Sequence, residues 1–162
     1  MATETRPYPV EFLLVEDNPD DAFLATEALR EGPSDCRVTH VEDGVEALDF
    51  LCGRGKHAAA ARPHLVLLDI NLPKMKGLEV LREMKADRIL RGIPVIMMTA
   101  SSDPRDILEA LNGRAHKYLA KPVSVAALLP LVQEIVREYR PTASPDDGLE
   151  LLDGWIREFE RY

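Results

Sequence analysis

The chain has 162 residues, the length of one domain, and its 46% apolar and 30% charged residues are an ordinary composition for a protein with a buried core. Its formal net charge of −8 argues against a general nucleic-acid binder, because phosphate backbones require a basic surface. It has no apolar run of the roughly 18 residues that a membrane span needs, and its first residues lack the apolar core of a signal peptide. We therefore expect a cytoplasmic protein.

Short apolar runs alternate with helical patterns along the chain, starting at Val10. The runs predict five strands, over residues 12–15, 36–41, 65–68, 94–98 and 117–120. Helical patterns follow each run and begin close to residues 18–20, 43, 77, 103 and 124. Asn18 or Asp20 is suited to cap the first helix, which is expected to run to Arg30.

The later helices carry more specific expectations. The helix from Asp43 is predicted to turn Val45, Leu48 and Leu51 inward. The fourth is predicted to be capped by Asp103 and closed by Gly113, and it carries Ile107, Leu108 and Leu111. The fifth follows Ser124 and has its apolar face at 128, 129, 132, 135 and 136. Its second turn contains Pro130, which predicts a kink or a late start.

Five such units predict one parallel sheet with helices on both faces, a doubly wound α/β domain. We assign residues 1–9 to an N-terminal tail, 10–140 to the domain, and 141–162 to a linker and an extra C-terminal helix. The apolar stripe of that helix, at residues 149, 152, 156 and 159, either folds back on its own domain or packs on a second subunit, and we favour a homodimer. The connection at 53–63 is long, and the sequence assigns it no function.

Two cysteines and four histidines show no metal-binding spacing. Cys36 and Cys52 form no CxxC pair, so we expect two reduced and buried thiols. The histidines at 40, 57, 64 and 116 show no HxH or HxxxH pairing, which disfavours a zinc site.

Polar side chains end four of the predicted strands: Glu16 and Asp17, Asp69, Thr99, and Lys121. In a parallel sheet these ends share one edge, where ligands bind. Three clustered carboxylates repel one another, and a divalent cation removes that conflict; all-oxygen ligands favour Mg²⁺. Asp69 ends the most apolar strand and is the expected nucleophile towards phosphorus, assisted by Lys121 and Thr99.

This set resembles the response-regulator receiver domain. The resemblance rests on the motifs at 15–18, 68–73, 99–100 and 121–122 and covers about 10–139. It implies a flavodoxin-like (βα)₅ fold and phosphotransfer from a histidine kinase to Asp69. It also implies Mg²⁺ held by Glu16, Asp17, Asp69 and the main-chain carbonyl of Asn71.

The same resemblance implies a switch and a cis peptide bond. Thr99 would be the hydroxyl that moves towards the phosphate, and Tyr118 the aromatic side chain that swings inward with it. The Lys121–Pro122 bond is expected to be cis. Residues 15–21, the 53–63 connection and residues 72–77 are similar to small regulators that serve phytochrome-type histidine kinases, which implies a bacteriophytochrome partner. About 20 residues follow the linker, too few for an effector domain, so we expect a stand-alone regulator that acts through protein association.

Three alternatives remain open. A dehalogenase-type phosphatase would need a second aspartate two residues beyond the nucleophile, where this chain has Asn71. A flavodoxin-like cofactor binder would need a Gly-rich phosphate loop after the first strand, which is absent. A scaffold that works without phosphorylation would not need the acceptor set. We therefore expect a phosphoacceptor regulator rather than an enzyme.

Overall fold

The computed structural model describes residues 10–31, 36–100, 104–112, 115 and 117–139. The strands are β1 (Val10–Val15), β2 (Cys36–Val41), β3 (Leu65–Asp69), β4 (Val95–Thr99) and β5 (Lys117–Ala120). The α-helices are α1 (Pro19–Arg30), α2 (Gly44–Cys52), α3 (Gly77–Ala86), α4 (Pro104–Asn112) and α5 (Val125–Tyr139), and a short 3₁₀ helix covers Gly55–His57. In the described ranges, no helix has the length and apolar content to cross a bilayer.

All five strands form one parallel sheet in the order β2-β1-β3-β4-β5. β3 lies at the centre, and every one of its residues is buried, which explains why its sequence is apolar up to Asp69. β5 lies at the edge and alternates between buried and exposed residues. The doubly wound fold predicted from the sequence is confirmed.

The sheet separates two hydrophobic cores. Alternate strand residues such as Phe12 and Leu67 pack with α1 and α5 on one face. Their neighbours Leu13 and Leu68 pack with α2 and α3 on the other face. Because successive side chains of a strand point to opposite faces, a strand covered on both sides must be apolar throughout.

The first helix starts at a well-formed cap and buries small residues. The side chain of Asn18 accepts hydrogen bonds from the N–H groups of Asp20 and Asp21, at 2.9 and 3.0 Å. The buried positions of α1 include three alanines, Ala22, Ala25 and Ala28. The helix backbone can therefore lie close to the sheet.

The second helix differs from its predicted packing. Asp43 caps it by accepting the N–H of Glu46 at 2.7 Å, and Leu48 is buried as expected. Val45, however, is 43% exposed, so its predicted inward orientation is wrong. The other buried residues of this helix are Gly44, Ala47 and Phe50.

Cys52 is also misplaced by the sequence prediction. Both cysteines are free thiols, but Cys36 is half-buried and Cys52 is exposed. Cys52 is the last residue of α2, where Gly53 turns the chain with a positive φ of 66°. The thiol therefore lies at a helix terminus, outside the core.

The 53–63 connection is packed against α2. Lys56 Nζ lies 2.9 Å from a carboxylate oxygen of Glu46, and the His57 ring meets the Phe50 ring edge-on at a centroid distance of 5.2 Å. The 3₁₀ turn at Gly55–His57 positions both side chains.

The last two helices carry one correction. α5 begins at Val125, directly after Ser124, whose hydroxyl accepts the Ala127 N–H at 3.3 Å, so a start delayed until after Pro130 is wrong. In α4, Leu108 is 58% exposed. The predicted caps Asp103 and Gly113, the tail at 1–9 and the helix in 141–162 lie outside the described residues.

Candidate functional site

The carboxyl edge of the sheet gathers residues from four strands. Glu16 directly follows β1, and Asp69 and Thr99 are the last residues of β3 and β4. Lys121 directly follows β5, and its backbone N–H donates to the Thr99 carbonyl at 2.9 Å. The parallel sheet therefore brings residues that are distant in sequence to one place.

Three carboxylates form a compact acidic cluster there. One oxygen each from Glu16, Asp17 and Asp69 lies within 4.8 Å of the others. The cluster follows from the strand order, because β1 and β3 are neighbours with Val15 opposite Leu68. Glu16 and Asp69 are buried, whereas Asp17 is exposed. Within the described ranges, this is the one group of three or more His, Cys, Asp or Glu side chains with the spacing of a metal site.

The ammonium group of Lys121 lies among the carboxylates. Its Nζ is 2.6 Å from Glu16 Oε1, 3.0 Å from Asp69 Oδ2 and 3.2 Å from Asp21 Oδ2. Burial by itself disfavours the charged ammonium, but the close contacts with the carboxylates of Glu16 and Asp69 outweigh burial and raise the pKa of Lys121. Lys121 therefore stays protonated and offsets part of the negative charge.

Glu16 is the most perturbed acid of the cluster. The pKa of its carboxyl is raised to about 7, mainly by burial and also by the charge of Asp69, against the opposing effect of Lys121 and of the Asn18 N–H. The Asn18 N–H donates to Oε2 at 3.0 Å. His40 Nε2 lies 2.6 Å from the main-chain oxygen of Glu16 and so contacts the same turn.

The other oxygen of Glu16 indicates a cation site. Oε1 is buried and receives no hydrogen bond of good geometry, even though Lys121 Nζ is in contact with it. The ammonium offsets the charge of this oxygen without giving it a well-directed hydrogen bond, and a metal ion would supply that second partner. Together with the nearby oxygens of Asp17 and Asp69, the donor set is entirely oxygen and suits a hard divalent cation.

The turn after β3 folds back against Asp69. The Asn71 N–H donates to Asp69 Oδ1 at 3.2 Å, and the Gly77 N–H donates to the Ile70 carbonyl at 2.9 Å. A Cβ on Gly77 would overlap the carbonyl oxygen of Asp69 and lie 2.9 Å from Ile70 Cα. Only glycine permits this approach, which brings the first turn of α3 against the end of β3.

Thr99 and Tyr118 occupy different environments. Thr99 is fully buried at the end of β4, and its backbone pairs with Ala120 of β5. Tyr118 is 39% exposed on β5, in register with Met97. The structure therefore places Thr99 in a buried position at the carboxyl edge and leaves Tyr118 partly exposed on the neighbouring strand. The peptide bond between Lys121 and Pro122 is cis, as the resemblance implied.

Sequence reasoning missed Asp21. This residue lies in the first turn of α1, and its carboxylate is a third partner of Lys121. Its place in the sequence could have indicated this role. A helix that follows a strand of a parallel sheet starts at the carboxyl edge, so its first turn lies beside the same crevice as the end of that strand. That geometry becomes visible only when Lys121, which is 100 residues away in sequence, is placed beside α1.

Comparison with known proteins defines the class. The family model described as "Response regulator receiver domain" matches residues 12–133. The chain belongs to this family, whose members take part in two-component signalling.

Individual relatives agree with that assignment. "Response regulator Rcp1" from Synechocystis sp. is 37% identical over 135 residues, which cover 83% of this chain and 91% of the relative. The structure of the phosphorylated cyanobacterial phytochrome response regulator RcpA matches with a TM-score of 0.71 and 38% identity, over 84% of this chain and 97% of RcpA. The Mn²⁺-bound form of Rcp1 matches with a TM-score of 0.70 and 35% identity, over 84% and 98% of the two chains.

Family membership separates two of the classes considered from sequence, the receiver domain and the flavodoxin-like cofactor binder. The chain is a receiver-domain signalling protein, and the flavodoxin-like cofactor binder is excluded as a class. The likeness to RcpA and Rcp1 spans almost the full length of both relatives, so it is not confined to a shared motif.

Proposed function

We propose that Asp69 accepts a phosphoryl group from the phosphohistidine of a sensor histidine kinase. The observation that carries this proposal is the contact of Lys121 Nζ with Asp69 Oδ2, at 3.0 Å, beside an all-oxygen acidic cluster. In the transfer, a carboxylate oxygen of Asp69 bonds to phosphorus while the bond from phosphorus to the imidazole nitrogen breaks. The imidazole keeps the electron pair and takes up a proton. Lys121 stabilises the negative charge on the phosphoryl oxygens.

Mg²⁺ is the cation we assign to the cluster. Its ligands would be carboxylate oxygens of Glu16, Asp17 and Asp69 and the main-chain carbonyl of Asn71. The bound ion supplies positive charge against the phosphoryl oxygens. The all-oxygen donor set and the Mn²⁺-bound form of the relative Rcp1 support a divalent site. Mg²⁺ is the member of this class that prefers a few carboxylates together with a phosphate oxygen.

Thr99 and Tyr118 form the proposed switch. The Thr99 hydroxyl would shift to donate a hydrogen bond to the phosphoryl group, and Tyr118 would then rotate inward from its exposed position. The loss of exposed aromatic surface on β5 changes the face formed by α4, β5 and α5. A local charge change thereby alters which proteins this face binds.

The wider role follows from the relatives. RcpA is described as a phytochrome response regulator, which supports a phytochrome-type histidine kinase as the partner of this chain. We propose a cytoplasmic regulator that signals through homodimer formation rather than nucleic-acid binding. Its receiver domain would span 10–140, and the apolar helix within 141–162 would contribute to association.

Phosphorylation of intact protein tests the acceptor. Wild type, Asp69→Ala and Asp49→Ala are incubated with acetyl phosphate and Mg²⁺, and intact mass is measured. Asp49 is a suitable control because it is a half-buried carboxylate paired with Arg54 at the far end of α2. We expect one phosphoryl group on wild type and Asp49→Ala, none on Asp69→Ala, and none when a chelator is present. An equal adduct on Asp69→Ala would overturn the assignment.

Phosphotransfer from kinases tests the partner. Labelled phosphoryl transfer from a phytochrome-type kinase is compared with transfer from an unrelated histidine kinase at equal concentrations. We expect faster transfer from the phytochrome-type enzyme, and equal rates would contradict that pairing. Light scattering of the phosphorylated and unmodified forms reports on the dimer, which is rejected if both forms have the mass of a monomer.

A further inference from the structure

The loop between β3 and α3 is attached to the start of α2 as well as to Asp69. The loop covers residues 70–76 and contains Asn71, whose carbonyl we assign to the cation. At its beginning, the Asn71 N–H donates to Asp69 Oδ1 at 3.2 Å, and at its end Gly77 folds back on Ile70. Its middle section meets α2, an element that has no other role in the proposed chemistry.

The first contact is steric. Gly44 is the first residue of α2, and a Cβ on it would overlap the carbonyl oxygen of Met75 and lie 2.8 Å from Met75 Cβ. Real Cβ atoms essentially never approach other heavy atoms so closely, and the atoms concerned include backbone, which cannot move away like a flexible side-chain end. The missing side chain of Gly44 is therefore what allows the loop to lie against α2.

The second contact is electrostatic. Asp43 caps α2 with Oδ1, and its Oδ2 lies 3.5 Å from Lys74 Nζ in the loop. Among the described residues, Lys74 is the one non-glycine residue with positive φ, at 66°. This conformation is unfavourable for a lysine by about 1 kcal/mol, so surrounding contacts must hold it.

These contacts form a path from α2 to the cation site. Gly44 packs against Met75, and Asp43 pairs with Lys74. Because Asn71 belongs to the same short loop, the position of its backbone depends on where these two residues lie. We propose that Gly44 is a positioning residue: its lack of a side chain lets α2 hold the β3–α3 loop so that the Asn71 carbonyl lies at cation-binding distance from the acidic cluster. This inference rests on the proposed function, since it concerns the same cation.

The test compares four proteins. Gly44→Ala restores the Cβ. Gly92→Ala is the matched control, because the nearest heavy atom to its added Cβ is Arg62 Nη2, at 3.9 Å. Met84→Ala removes a fully buried side chain from α3 and controls for general destabilisation. Mg²⁺ affinity is measured by calorimetric titration, and circular dichroism verifies folding.

We expect Gly44→Ala to bind Mg²⁺ about 10-fold more weakly, the usual size of an effect on ligand positioning. The Mg²⁺ concentration for half-maximal phosphorylation by acetyl phosphate should rise by the same factor, while the rate at saturating Mg²⁺ stays within about threefold of wild type. Gly92→Ala and Met84→Ala should bind like wild type. An unchanged affinity in folded Gly44→Ala, or an equal loss in Met84→Ala, would overturn the inference.

A second variant decides the matter if Gly44→Ala does not fold. Lys74→Asn removes the contact to Asp43 and keeps a residue type that tolerates positive φ. Loss of a positive charge would by itself tighten cation binding, so weaker binding by Lys74→Asn must come from loop displacement. We expect Mg²⁺ affinity to fall about threefold, and unchanged or tighter binding would refute the inference. If wild type itself binds no Mg²⁺, the proposed function fails, which is a different result.

Discussion

Glu16 should give the metal-free protein an unusual dependence of stability on pH. Burial raises the pKa of its carboxyl from 4.5 to about 7 in the folded state. Between these values the folded protein retains a proton that the unfolded chain releases. The contribution of Glu16 to stability is therefore complete below pH 4.5 and is lost as the pH rises through 7. Most paired carboxylates show the opposite sign, because their folded pKa is lowered.

The size of the effect follows from the shift. At about 1.4 kcal/mol per pKa unit, a rise from 4.5 to about 7 corresponds to about 3 kcal/mol, and most of this falls between pH 5 and pH 8. Glu16→Gln keeps the shape and removes the titration. As the pH rises from 5 to 8, the free energy of unfolding of wild type, measured relative to that of Glu16→Gln, should therefore fall by most of this 3 kcal/mol, about 2 to 3 kcal/mol.

Urea unfolding followed by circular dichroism measures this difference. Both proteins are unfolded at several pH values from 5 to 8 with a chelator present, so that no cation masks the charge. Taking the difference cancels the other titrating groups, such as His64. Glu83→Gln, at an exposed position of α3, controls for the loss of one negative charge. A difference between wild type and Glu16→Gln that is constant, or that grows with pH, would refute the reasoning.

Three further predictions concern the cap of α1, the core at β3 and the cation ligands. Asn18→Ala removes the cap of α1 and should lower the free energy of unfolding by about 1 kcal/mol in urea titrations; no change would mean that the cap is not formed. Leu67→Ala empties a fully buried site on β3 and should cost about 3 kcal/mol in the same assay, whereas a loss near zero would contradict its burial. Mg²⁺ at a hundred times its Kd should raise the wild-type free energy of unfolding by about 2.7 kcal/mol. Asp17→Asn should lose most of that gain in thermal melts, and an undiminished gain would exclude Asp17 as a ligand.

The strands and the site edge were predictable because both depend on a simple rule. Strands buried on both faces must be apolar throughout, so β3 was visible as an uninterrupted run that ends in Asp69. Parallel strands share a carboxyl edge, so Glu16, Thr99 and Lys121 could be brought together without knowing the strand order. The strand order comes from the structure, and the central place of β3 agrees with its being the most apolar of the predicted strands.

Helix packing was less predictable, because small residues carry little pattern. α2 lies against the protein with Gly44, Ala47 and Leu48 buried, whereas the larger Val45 faces solvent. Two of the four buried positions of α2 are glycine and alanine, and a pattern of large apolar residues does not register them. The same holds for α1, whose buried positions are mostly alanine while Phe23 is 64% exposed.

The exposed thiol at the end of α2 has a practical consequence. Helices of a parallel α/β sheet run opposite to the strands, so Cys52 lies at the edge away from Asp69. Cys36, the other thiol, is half-buried on β2. A maleimide reagent should therefore attach at Cys52 first, and coupling through it orients every molecule on a sensor surface in the same way. The native chain thus supplies a handle for immobilisation that leaves the carboxyl edge open to solution.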